Sequence, residues 1–290
     1  MNFSGSGVAL ITPFADGKID VAALAKLVEF QIDNGTDYIV ALGTTGEPAT
    51  LSRDERMLVM ETVKKAIAGR VPLVIGCGCN NTAEAVANAK LASQYGDALL
   101  VVTPYYNKCT QKGLIAHYTA IADATSLPII SYNVPGRTGV NMLPETVKAL
   151  SDGGIIAAIK EASGNMEQIT ETARLCGKKI ALISGDDALV LPIASIGGKG
   201  VISVAANVVP AVVANLTKAA LTGDYNTARA LQFELNPLVK LLFCEVNPIP
   251  VKAACSLLGL CNNELRLPLT VIEAGNLARL KTQMAEMRLL

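Results

Sequence analysis

Eight short, almost wholly apolar runs punctuate this chain, and each is followed by a longer stretch in which apolar residues recur at helical spacing. The runs cover residues 8–12, 38–42, 73–76, 98–103, 128–132, 155–159, 180–184 and 200–203. Their continuous Val, Ile, Leu and Ala content suits strands buried on both faces, the condition of an all-parallel sheet. The intervening stretches carry helix punctuation. Asp20 precedes a helix over 21–34 that stops at Gly35, and Ser52 with Glu55 forms a capping box for a helix from Arg53. A third helix over 82–95 ends at Gly96, and Pro144 fits the first turn of another.

Eight strand–helix units in alternation predict a (β/α)8 TIM barrel. An open doubly wound sheet is the structural rival, but the first strand–helix turn lacks the glycine fingerprint of a dinucleotide site. Beyond Asp224 the strand pattern stops and helical spacing continues to Leu290. This divides the chain into a barrel, 1–224, and a C-terminal helical extension packed on it, 225–290.

Composition narrows the function. With 290 residues, 51% hydrophobic and 17% charged, the chain has ample material for a barrel core. A formal net charge of zero disfavours nucleic acid as a partner. The first seven residues lack the basic and apolar stretches of an export signal, and no apolar run approaches the ~20 residues of a membrane span. Seven cysteines without an export signal read as reduced thiols, so a cytoplasmic protein is expected. Cys77-Gly78-Cys79 and the Cys255/Cys261 pair lack the second half of a zinc site. The one histidine, His117, falls on the buried flank of a helix over 111–125, which argues against a Ser-His-Asp triad. No nucleophile elbow and no phosphate-binding loop occurs.

Barrel active sites are built where strands end. The segments following the apolar runs are Gly43-Thr44-Thr45-Gly46-Glu47, Pro104-Tyr105-Tyr106-Asn107-Lys108, Tyr132-Asn133-Val134-Pro135-Gly136-Arg137-Thr138, Lys160-Glu161-Ala162-Ser163-Gly164 and Ser184-Gly185-Asp186-Asp187. Lys160 is the most informative. Its amine would emerge in a dry barrel interior, where burial disfavours the charged form. A neutral amine attacks ketones, and the iminium so formed is an electron sink. A strand-end lysine paired with Glu161 would be the structural alternative. Tyr132 closes the preceding strand and is placed to relay protons, with Thr44 and Tyr106 extending the relay. The loop amides around Gly43 and Gly46 are candidates to hold a small carboxylate, and Arg137 is a natural carboxylate clamp. Each has a plainer role available: wall tyrosines, turn hydroxyls, a solvated loop arginine, and Asp186-Asp187 as the cap of a helix from about Ala188.

These ordered motifs resemble the family of pyruvate-dependent class I lyases and aldolases, over nearly the whole chain from Val8 to Asn247-Pro248-Ile249-Pro250-Val251-Lys252. The resemblance implies a Schiff base between Lys160 and pyruvate, with Tyr132, Thr44 and Tyr106 as the proton relay. Thr45 and the backbone at Gly185 and Ile202 would hold pyruvate. No metal or organic cofactor is implied. Arg137 favours the branch that condenses pyruvate with aspartate β-semialdehyde to 4-hydroxy-tetrahydrodipicolinate, on the route to lysine and diaminopimelate. The resemblance further implies a homotetramer, a dimer of dimers, in which Tyr106 reaches in from a neighbouring subunit. The family's allosteric lysine site maps to Ala49, Asn80, Glu84 and Tyr105. Pro48, Arg53 and Arg56 depart from its pattern, so weak or absent lysine inhibition is expected. The alternatives are a sister aldolase acting on a sugar-acid, N-acetylneuraminate or 2-keto-3-deoxygluconate, and a catalytically silent barrel that binds a keto acid.

Overall fold

A computed structural model describes residues 3–290; Met1 and Asn2, which open the segment expected to lack an export signal, lie outside the described residues. The chain continues into β1 (Gly5–Ala9) and a small antiparallel hairpin of β2 (Phe14–Ala15) and β3 (Lys18–Ile19). Then follow α1 (Val21–Asp33), β4 (Tyr38–Ala41), α2 (Arg53–Ile67), β5 (Leu73–Gly76), α3 (Thr82–Ala92), β6 (Ala98–Val102) and α4 (Gln111–Ala122). The second half contributes β7 (Ile129–Asn133), the short α5 (Pro135–Thr138), α6 (Pro144–Asp152), β8 (Ala158–Glu161), α7 (Met166–Cys176), β9 (Ala181–Ser184), α8 (Val190–Ser195), β10 (Gly200–Ser203) and α9 (Pro210–Thr222).

Eight of these strands close into a barrel in the order β1-β10-β9-β8-β7-β6-β5-β4, every neighbouring pair parallel. The fold is the (β/α)8 TIM barrel. Two apolar layers hold it. Tyr38, Val40, Val74, Leu100, Ile130 and Ile183 belong to the cluster inside the barrel, while residues such as Ile39, Ile75, Leu99 and Leu182 belong to the larger cluster shared with the helices. This alternation along each strand is why the runs are apolar throughout. The helix signals hold in detail: Asp20 accepts from Ala23 N–H, and the Ser52/Glu55 capping box is fully formed.

Two strands begin three residues from their expected starts, while the others keep theirs to within one residue. The first begins at Gly5 rather than residue 8, because small residues let the strand lie against bulky neighbours. A Cβ on Gly7 would fall 2.2 Å from the ring of Tyr38. The sixth run begins at Ala158 rather than residue 155 and continues through Lys160 and Glu161. Ile155 instead closes the turn after α6, its N–H donating to Leu150 O. Helices 82–95 and 111–125 are shorter than expected, ending at Ala92 and Ala122.

After Asp224 come α10 (Tyr225–Leu242), α11 (Ile249–Leu257) and α12 (Ala274–Glu286). Leu235, Leu238, Val251, Leu280 and Met284 from these helices join the cluster that also holds Leu24 and Val201. Among the described residues no helix is long and apolar enough to cross a membrane.

Candidate active site

Lys160 lies within β8, directly beside Tyr132 of β7 in the parallel register. Strand alternation turns Lys160 into the barrel and Glu161 outward. Glu161 accepts from Asn133 Nδ2 (3.2 and 3.1 Å) and from Ser163 N–H (2.7 Å), so the two charges do not pair. Lys160 is 5% exposed, and its Nζ stands 4.3 Å from the centroid of the Tyr132 ring. Burial lowers its pKa to about 8; the carboxylate of Asp187 opposes that shift and the guanidinium of Arg137 adds to it. The phenol of Tyr132 is shifted the other way, raised by burial against the pull of Arg137 and a hydrogen bond with Thr44.

Lys160, Tyr132, Thr44, Thr45, Arg137 and Gly185 all line one cavity of about 370 Å³. Ile202 belongs to the apolar cluster beneath it, together with Tyr132 and Ile183. The strand ends thus deliver these residues to one mouth. At Gly185 a Cβ would meet Ala162 Cβ at 2.8 Å and Lys160 Cε at 3.0 Å, so only glycine lets β9 approach the lysine. Its N–H is already given to Glu161 O at 2.7 Å. What Gly185 offers a ligand is therefore room and a carbonyl, not the amide donor a carboxylate needs.

Thr44–Gly46 forms a single 3-10 turn in which Gly46 N–H bonds Gly43 O and Glu47 N–H bonds Thr44 O. The turn ends on Glu47 at φ 53, and the carboxylate of Glu47 is buried against Lys252 of α11 at 2.5 Å. The two acidic residues after β9 separate. Asp186 caps the following turn by accepting from Ala188 N–H, as its position suggests. Asp187 is drawn inward and accepts from Ser203 Oγ and from the N–H groups of Val204 (3.0 Å) and Ala205 (3.1 Å). It is 2% exposed, its pKa is raised by burial and restrained by those donors, and it is the carboxylate that acts on Lys160.

A second cleft of about 450 Å³ adjoins the first and shares Thr44, Tyr132 and Arg137 with it. Pro48, Ala49, Arg56 and Tyr105 line it. Asn80 and Glu84 do not, although Asn80 is tied to the tyrosine loop by Asn107 Nδ2, which donates to its carbonyl at 3.0 Å. Tyr106 stands apart from both cavities, 89% exposed at φ 72. Within one chain it does not reach the cavity that holds Lys160 and Tyr132.

Two residues of the site, Asn247 and Lys252, have no role that the sequence alone assigns, and Asp187, read from sequence with Asp186 as a helix cap, instead binds the Ser203–Ala205 turn. Asn247 lines both cavities, donates through Nδ2 to Thr45 Oγ1 at 3.0 Å, and accepts from Arg137 Nη2 at its carbonyl, 3.1 Å. Its one visible signal is its place in the Asn247-Pro248 stretch, far from either partner in the chain. Among the described residues no cluster of His, Cys, Asp and Glu could hold a metal ion.

Known proteins share this architecture along its full length. The model of the dihydrodipicolinate synthetase family matches residues 2–287. The 4-hydroxy-tetrahydrodipicolinate synthase of Geobacter sulfurreducens is 52% identical over 289 residues, covering 99% of this chain and all of that protein. A chloride-inhibited dihydrodipicolinate synthase from Acinetobacter baumannii, crystallised with pyruvate, superposes with a TM-score of 0.97 at 40% identity, covering 99% of both chains. A dihydrodipicolinate synthase variant characterised as monomeric gives a TM-score of 0.98 at 40% identity, covering 99% of this chain and 98% of its own.

Proposed function

The chain belongs to the dihydrodipicolinate synthetase family, and from that membership we propose how its residues divide the work of condensing pyruvate with aspartate β-semialdehyde. The reaction is that of a lyase of lysine and diaminopimelate biosynthesis, not of a sugar-acid aldolase or a silent keto-acid binder. One observation carries the assignment of roles: a buried lysine amine, held near pKa 8, stands over a tyrosine ring in a cavity that also contains an arginine.

Neutral Lys160 attacks the keto carbon of pyruvate. Tyr132 moves the proton that turns the carbinolamine oxygen into leaving water, and an iminium remains on Lys160. Loss of a methyl proton gives the enamine, whose carbon attacks the aldehyde of the second substrate. The amino group of that substrate then adds to the iminium carbon, closes the ring and releases Lys160 as a free amine. Thr45 donates its hydroxyl to the pyruvate carboxylate, with Gly185 and Ile202 shaping the space around it. Arg137 holds the carboxylate of aspartate β-semialdehyde. Thr44 carries the proton path from Tyr132 towards Tyr106 of a neighbouring subunit.

That last step requires an oligomer, and a homotetramer built as a dimer of dimers supplies it. The exposure and positive φ of Tyr106 support the reading, since both suit a loop that meets a second copy. Cytoplasmic residence is supported by the seven cysteines, all free. The extension beyond Asp224 acts with the barrel rather than apart from it, because Asn247 and Lys252 reach residues at the barrel mouth.

The test is turnover of pyruvate with aspartate β-semialdehyde beside a Lys160→Ala control. Turnover that disappears in the control supports these roles. Undiminished turnover in the control refutes them.

A further inference from the structure

Asn247 sits in the loop between α10 and α11, 5% exposed, at the seam between the two cavities. Its two polar contacts reach opposite sides of the barrel mouth. The side-chain amide donates to Thr45 Oγ1 after β4, and the backbone carbonyl accepts from Arg137 after β7. A hydroxyl offers one proton and two acceptor lone pairs. When an N–H occupies a lone pair of Thr45, the threonine's own proton is left to point elsewhere, and the inner cavity lies beside it. Thr45 itself is 2% exposed, so little water competes for that proton.

We propose that Asn247 is a positioning residue for the pyruvate end of the site. Its amide fixes the Thr45 hydroxyl as a donor to the pyruvate carboxylate, and its carbonyl fixes the guanidinium of Arg137. The inference rests on the proposed role of Thr45 at the pyruvate end. It gives the C-terminal extension a part in the site, since one residue of the extension sets the polarity of a hydroxyl 202 residues away in sequence. The contact to Arg137 is made by the main chain, so side-chain substitutions at Asn247 act on the pyruvate end alone.

The experiment is a double-mutant cycle on steady-state KM with Asn247→Ala, Thr45→Val and their combination, with Asn247→Asp as an isosteric companion. Asn247→Ala raises the KM for pyruvate roughly tenfold, the scale of one well-placed hydrogen bond. The KM for aspartate β-semialdehyde stays within about twofold, less than the loss of a hydrogen bond, because the carbonyl that holds Arg137 belongs to the main chain and survives the substitution. The double variant is no worse than Thr45→Val, because the asparagine acts through that hydroxyl. Asn247→Asp behaves like Asn247→Ala, since a carboxylate draws the threonine proton onto itself. Additive effects in the cycle, a wild-type pyruvate KM in Asn247→Asp, or a change confined to the aldehyde substrate overturns the inference and leaves the role of Thr45 standing. A Thr45→Val enzyme with an unchanged pyruvate KM overturns that role and the inference with it.

Discussion

Lys160 and Tyr132 face each other across adjacent strands, with the lysine nitrogen 4.3 Å from the centre of the tyrosine ring. The ring covers the amine from water, while the phenol reaches past it towards Thr44. In the proposed mechanism this one side chain both desolvates the nucleophile and starts the proton path. Tyr132→Phe separates these functions, because it keeps the ring and removes the hydroxyl. The expected result is a fall in kcat of roughly 10²–10⁴, with the lysine still able to form an adduct with pyruvate. A kcat within a factor of about two of wild type, too small for a lost proton-transfer group, would remove Tyr132 from the relay.

The lowered pKa of Lys160 sets a pH dependence. At pH 7 an amine of pKa about 8 is neutral in roughly one molecule in ten, against about one in 2,500 for an ordinary lysine. Single-turnover iminium formation should rise with pH and level off above about 8. The same shift acts on stability. Between about 8 and the ordinary lysine value, the unfolded chain holds a proton that the fold does not, so this residue's contribution improves as pH rises through that window. Below it both states are protonated and the fold carries a constant penalty. Lys160→Met should therefore stabilise the protein at pH 7, by up to roughly 3 kcal/mol, read from the denaturant midpoint. A destabilised variant would contradict the assigned shift.

Much of this is legible in the sequence because barrel chemistry is local to strand ends. Lys160, Tyr132, Thr44, Thr45 and Arg137 each follow or close an apolar run, and the fold gathers those ends whatever the intervening helices contain. The outward turn of Glu161 is not legible, because the apolar run stops before Lys160 whereas the strand continues through both charges. Asn247 and Lys252 are hidden for a different reason. Their partners lie at the other end of the chain, and no local pattern encodes a contact between a loop after α10 and a turn after β4. Tyr106 marks a third boundary, since its proposed role belongs to an assembly rather than to one chain.

The pairing of Lys252 with Glu47 is a fold determinant behind the Thr44–Gly46 turn. Both side chains are buried, at 0% and 1% exposure, and the ammonium also donates to Glu264 O at 2.8 Å and lies 3.9 Å from the Phe14 ring centroid. Burial lowers the pKa of Lys252, and Glu47 opposes the shift. Lys252→Met leaves a carboxylate buried without its cation, at a cost of about 3–5 kcal/mol. Calorimetry should show a melting temperature lower by roughly 10 °C. Lys252→Met combined with Glu47→Gln should recover most of the loss. A single variant as stable as wild type would show that the pair is not needed.

The outer cleft bears on regulation. Ala49 and Tyr105 line it, but Arg56 does too, held by a bond from its Nη2 to Pro48 O at 2.9 Å. A fixed guanidinium there repels the two ammonium groups of lysine. Weak or absent inhibition by lysine is expected in the condensation assay, and Arg56→His should strengthen it. Inhibition of wild type at micromolar lysine would contradict this.

The most direct measurement is borohydride reduction in the presence of pyruvate alone, followed by mass spectrometry of the digested protein. The Schiff-base account predicts one reduced pyruvate adduct, on the peptide carrying Lys160, and none in Lys160→Ala. An adduct on Lys252 or on a surface lysine, or no adduct at all, would contradict it.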